Sequence, residues 1–119
     1  MTCELDLVER YFKAFNAHDL EAVVDCFTDD GVITTSDGVR HHGAREIRRF
    51  YDDIIEQFPD ARCELQRAWD SAGTAAAEWD FTGTRRDQQD RFQLVGAELF
   101  TLRDAKIDDL RVYDAKPRA

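Results

Sequence analysis

Apolar residues recur every three to four positions in the first half of the chain and every second position after Pro59. Leu5, Val8, Phe12 and Phe15 mark a helical stripe, with Leu7, Tyr11 and Ala14 on its flank. The stripe halts at Asn16-Ala17-His18-Asp19. Asp19 is a natural N-cap for a second, short helix carrying Leu20, Val23, Val24 and Phe27 on one face. Asp29-Asp30-Gly31 has turn chemistry, Val32-Ile33-Thr34-Thr35 predicts a short strand, and Ser36-Asp37-Gly38 predicts another turn. A third helix has the fullest stripe, formed by Ile47, Phe50, Tyr51, Ile54, Ile55 and Phe58. Gly43 is its expected N-cap, Glu46 suits the positive end of the helix dipole, and Pro59 stops it. Its other face, with Arg45, Arg48, Arg49, Asp52 and Asp53, reads as solvated.

The alternation beyond Pro59 predicts four strands. Cys63, Leu65, Arg67 and Trp69 share one parity, and Ala75, Ala77, Trp79, Phe81 and Gly83 share the next. Phe92, Leu94, Gly96, Glu98, Phe100 and Leu102 share a third, while Val95, Ala97 and Leu99 make the reverse face partly apolar. Leu110, Val112 and Asp114 share the fourth. Asp70-Ser71-Ala72-Gly73 and Arg103-Asp104-Ala105-Lys106 are short enough for antiparallel hairpins, and the polar stretch 85–91 reads as a hairpin tip. Three helices followed by such strands predict an α+β fold of one domain, residues 1–119. In it a cone-shaped, curved antiparallel sheet wraps around the helices and leaves a hollow for a small apolar ligand.

Composition narrows the class of partner. With 119 residues, 43% hydrophobic and only 2 Pro and 6 Gly, the chain can build one core and is neither disordered nor collagen-like. Its 25 acidic against 16 basic residues give a net charge of −9, which repels phosphate backbones and anionic lipid. No apolar run approaches the roughly 20 residues a membrane helix needs. The acidic start, Met-Thr-Cys-Glu-Leu-Asp, lacks the basic region of a signal peptide. Cys3, Cys26 and Cys63 are odd in number and widely spaced, as expected of reduced thiols in a cytoplasmic protein. No nucleic-acid or membrane partner is expected.

Motifs for nucleotide binding, nucleophilic serine and zinc are absent, and the neighbouring His41 and His42 would point to opposite faces of a strand. No metal site is expected. The informative residues are polar groups on apolar parities. Glu98 falls between Gly96 and Phe100; in an apolar cavity, desolvation would raise its pKa and make it a general acid or a base poised nearer neutrality. The alternative is a salt bridge to Arg67, which shares an apolar parity. Asp114 ends the last strand, either as a base facing the hollow or as a solvated residue before Lys116-Pro117-Arg118-Ala119. Tyr11 is either a hydroxyl donor to a developing oxyanion or an ordinary core tyrosine. Phe50, Trp69, Trp79, Phe100 and His42 are the expected substrate-contacting residues, with core packing the simpler role for the aromatic ones.

Several segments resemble the nuclear transport factor 2-like (NTF2-like) superfamily. Tyr11-Phe12-Lys13-Ala14-Phe15-Asn16-Ala17-His18-Asp19-Leu20 is similar to its first helix and N-x-x-D turn, and Phe27-Thr28-Asp29-Asp30-Gly31-Val32 to its first strand entry. His42-Gly43-Ala44-Arg45-Glu46-Ile47-Arg48-Arg49-Phe50 resembles the start of its third helix. Phe58-Pro59-Asp60, Glu78-Trp79-Asp80-Phe81-Thr82-Gly83-Thr84 and Lys106-Ile107-Asp108-Asp109-Leu110-Arg111-Val112-Tyr113-Asp114 resemble the SnoaL-like polyketide-cyclase branch. The resemblance implies a cone-shaped α+β barrel, a homodimer and chemistry without metal or organic cofactor. It implies an acid/base role for Asp114, and it matches Tyr11 and Glu98 to the oxyanion donors of ketosteroid isomerases, which share the scaffold. The isomerase base position falls on or near Thr35, which cannot serve as a base. The implied activity is proton transfer on a hydrophobic carbonyl compound, of cyclase, isomerase or dehydratase type. The alternative is a non-catalytic module for ligand binding or dimeric assembly.

Overall fold

A computed structural model describes residues 4–87 and 90–115, so Cys3, the segment 116–119 and part of the 85–91 tip lie outside the described residues. Helices α1 (Glu4–Asn16), α2 (Leu20–Asp25) and α3 (Ala44–Gln57) accompany six strands. These are β1 (Phe27–Thr34), β2 (Arg40–His42), β3 (Arg62–Ser71), β4 (Thr74–Thr84), β5 (Arg91–Arg103) and β6 (Lys106–Ala115). They form one sheet in the order β2-β1-β6-β5-β4-β3. Every pairing is antiparallel except β1 with β6, which is parallel. That exception follows from connectivity. Hairpins enforce antiparallel neighbours, whereas α3 and four strands intervene between β1 and β6.

Helix α1 buries its stripe and its flank together, with Leu7, Val8, Tyr11, Phe12, Ala14 and Phe15 all inside, because it lies against β3 and β4 and beside α2. Its end is pinned by Asn16, whose amide donates to the Cys63 carbonyl at 2.9 Å and accepts from the Cys63 N–H at 2.7 Å. Asp19 caps α2, accepting from the Ala22 N–H at 3.1 Å. Gly43 precedes α3 with φ of 89°, and Glu46 reaches back to accept from the His42 N–H at 3.0 Å.

Two local expectations change. Phe27 leaves α2 and starts β1, because its ring enters the core between Tyr11 and Tyr51. Asp29-Asp30-Gly31 does not turn the chain; it bulges β1, shifting the β1–β6 register between Phe27 and Val32. The second change is in β3, whose register slips between Leu65 and Arg67. Cys63 and Leu65 keep the inner face, but beyond the slip Arg67 and Trp69 turn outward while Ala68 turns in. Strands β4 and β5 follow the expected alternation, and the turns Ala72-Gly73 and Asp104-Ala105 close tight hairpins in the left-handed region.

The inner face of the sheet divides along β5. From Phe100 onward it is packed solid, with Phe100, Ile107, Leu110, Ile33, Ile47 and Val8 at most 1% exposed. From Glu98 back to Phe92 it borders a hollow.

Candidate active-site cavity

The hollow is a cavity of about 250 Å³ between α1, α3 and the inner face of β3–β6. Its walls are apolar: Phe12 and Phe15 from α1, Phe50, Tyr51 and Ile54 from α3, then Phe58, Phe81, Phe92, Leu94 and Val112. The polar atoms are few, and they converge. Cross-strand register sets two levels on this face. Ala77, Glu98 and Val112 stand side by side on β4, β5 and β6, and Trp79, Gly96 and Asp114 stand one level further toward the mouth. Glu98 and Asp114 are therefore diagonal neighbours on one face, a separation of about 7–8 Å between such backbone positions.

Glu98 is 6% exposed, and its Oε1 has no hydrogen-bond partner. Burial, with Asp114 adding to it, pushes its pKa up to about 8. At neutral pH Glu98 is therefore mainly the uncharged acid, able to donate a proton. Its alternative partner is elsewhere. Arg67 faces outward beyond the β3 slip and pairs with Glu78 at 3.5 Å, both side chains substantially exposed. Asp114 is half-buried at the cavity rim and accepts from the Ser36 hydroxyl at 3.0 Å.

Tyr11 is fully buried, and its hydroxyl is hydrogen-bonded to that of Tyr51. Burial and the nearby Glu98 hold both phenols well above their ordinary pKa, so both remain neutral donors. The pair has two hydroxyl protons and one mutual bond, which leaves one proton for a third acceptor. Tyr51 read in sequence only as part of the α3 stripe; nothing in its spacing signals a polar role. Cys63 also lines the cavity as a buried free thiol, its pKa raised by burial.

Of the expected substrate-contacting residues, Phe50 and Trp79 line the cavity with Glu98, Tyr11 and Asp114. Three do not. Trp69 is 49% exposed on the outer face, because the β3 slip reverses its parity. Phe100 is sealed in the packed end, edge-on to Tyr11 at 5.8 Å. His42 is exposed on β2, while the neighbouring His41 packs at a tilt against Phe50, with ring centroids 4.7 Å apart. Thr35 lines the cavity and donates to Asp37, which is exposed and also accepts from the Val39 N–H. Among the described residues no group of three His, Cys, Asp or Glu side chains gathers as a metal site, and no helix is long and apolar enough to cross a membrane.

The SnoaL-like domain family matches residues 8–110 of the chain. A search of curated proteins found no match. Among solved structures, an NTF2-like protein of unknown function from Burkholderia pseudomallei is similar over 97% of this chain and 92% of that one, with TM-score 0.87 and 16% identity. A proposed SnoaL-like polyketide cyclase from Jannaschia sp. CCS1 is similar over 93% of this chain and 84% of that one, with TM-score 0.85 and 16% identity. A hypothetical protein with a ketosteroid isomerase-like fold from Catenulispora acidiphila, in complex with trimethylamine, is similar over 90% and 83%, with TM-score 0.83 and 17% identity. At these identities the likeness is one of fold.

Proposed function

Because the chain belongs to the SnoaL-like domain family, we propose that its cavity binds a small, largely apolar carbonyl compound and catalyses proton transfer next to the carbonyl. Such a step serves cyclisation, isomerisation or dehydration. The observation that carries the proposal is Glu98, a buried and unpaired carboxyl with a pKa of about 8, one diagonal step from Asp114. Two carboxyls whose surroundings differ this much suit opposite roles. Asp114 at the rim takes the proton from carbon. Glu98 and the spare hydroxyl proton of the Tyr11–Tyr51 pair donate to the oxygen as enolate charge develops. None of these steps requires a cofactor.

Deuterium incorporation next to the carbonyl of 2-tetralone, an enolisable bicyclic ketone, measures this chemistry directly. Asp114→Asn should slow the exchange by about 10²–10⁴-fold and leave the thermal midpoint unchanged. Exchange by the wild-type protein no faster than in buffer would leave a non-catalytic binding module.

The outer sheet face favours a homodimer. Trp69, Leu99 and Tyr113 are 49%, 48% and 50% exposed there, and Trp69 and Leu99 flank Ala76 in one cross-strand row. We propose that two copies pair across this face. Leu99→Lys should then yield a monomer by sedimentation equilibrium; an unchanged mass would remove this face from the interface.

A further inference from the structure

Among the described residues, two buried side-chain polar atoms lack a hydrogen-bond partner, and both belong to residues lining the cavity: Glu98 Oε1 and Trp79 Nε1. Trp79 is 6% exposed. An indole N–H is a donor only, and leaving it buried and unpaired forfeits its hydration without a replacement bond. That cost is incurred although most buried polar groups in proteins find partners. A phenylalanine would fill much of the same space without it.

The indole is held where it is by a gap in β5. Gly96 pairs with Trp79 on one side and Asp114 on the other. A Cβ built on Gly96 would lie 2.6 Å from Trp79 Cζ2 and 2.8 Å from Cη2, so the ring edge next to Nε1 occupies the space a side chain would need. The same Cβ would lie 2.7 Å from the Tyr113 carbonyl. Gly96 therefore lets the indole lean from β4 across β5, in the direction of the carboxyl pair.

Resting on the reading of the cavity as a carbonyl site, we infer that Trp79 Nε1–H is a ligand-binding donor, positioned by Gly96, and that the bound ligand presents an acceptor oxygen to it. Trp79 and Glu98 then form a two-donor wall, both donors neutral at pH 7. Such a wall selects oxygenated compounds over hydrocarbons of the same shape. It also disfavours cationic amines, which carry protons where the wall requires lone pairs.

Titration of uniformly ¹⁵N-labelled full chain with 2-tetralone, and separately with the hydrocarbon tetralin, tests this. The chain has two indole N–H signals, and Trp69→Phe identifies the one belonging to Trp79. The Trp79 signal should move downfield with 2-tetralone and not with tetralin. Trp79→Phe should weaken 2-tetralone binding about three- to tenfold more than it weakens tetralin binding. Gly96→Ala should shift the free Trp79 signal and weaken 2-tetralone in the same sense. Absence of an oxygen-dependent shift of the Trp79 signal, or an equal loss of 2-tetralone and tetralin affinity in Trp79→Phe, overturns the inference. Deuterium exchange without the indole shift would overturn this inference and spare the proposed chemistry. The shift without exchange would do the reverse.

Discussion

The two ends of the sheet's inner face are built from the same alternation and serve opposite purposes. At the closed end, Phe100, Leu110 and Ile107 mesh with Ile33, Ile47 and Val8, and every inner position is filled. At the open end, Leu94, Phe92, Phe50 and Ile54 are only half-buried, since they face the cavity rather than one another. Glu98 stands on the boundary, with Phe100 two residues to one side and the hollow on the other. Packing density separates the end that stores stability from the end that leaves room for a guest.

The largest effect that separates the two ends is a pH dependence. The folded chain holds the Glu98 proton up to about pH 8, whereas the unfolded chain releases it near the ordinary value of 4.5. Between these values the native state binds more protons, so Glu98's contribution is fully present below 4.5 and is lost as pH rises through about 8. The loss should be on the order of several kcal/mol. Urea titrations from pH 5 to pH 9 should show this decline in wild type and a nearly flat profile in Glu98→Gln; parallel profiles would mean that Glu98 is solvated. Next in size is a pair of truncations. Leu110→Ala should cost about 2–5 kcal/mol, as for a sealed core leucine. Leu94→Ala, on the cavity wall, should cost less than half as much while altering 2-tetralone affinity. Equal costs in urea unfolding would erase the distinction between the ends. The smallest effect expected is that of Arg67→Ala, which breaks an exposed pair with Glu78. Neither stability nor the Glu98 titration should move measurably; a shift in the latter would revive the ion pair that the β3 slip rules out.

Period and parity were enough to place the helices, the long strands and the inner face, because burial imposes them on every residue of an element. They also brought out Glu98, Asp114 and Tyr11, since a polar group on an apolar parity is visible without coordinates. What they could not register was a change of phase. Arg67 and Trp69 hold the same parity as Cys63 and Leu65 in the sequence, but one extra residue in the ladder reverses them. Phe27 and the Asp29-Asp30-Gly31 segment failed similarly, because turn residues also suit a bulged strand whose partner, β6, lies some eighty residues away. Tyr51 was hidden for another reason. A tyrosine in a hydrophobic stripe looks like any core aromatic until the residue opposite its hydroxyl is known.

The slip in β3 also shows that strand register can act as chemistry. Gln66 stands outside the ladder; were it to pair with Glu78, strict alternation would set Arg67 opposite Ala77, the β4 neighbour of Glu98, on the inner face. A permanent cation there would draw the proton off Glu98 and turn a neutral donor into an anion. The ionisation of a carboxyl two strands away thus depends on one uncharged residue that the ladder skips.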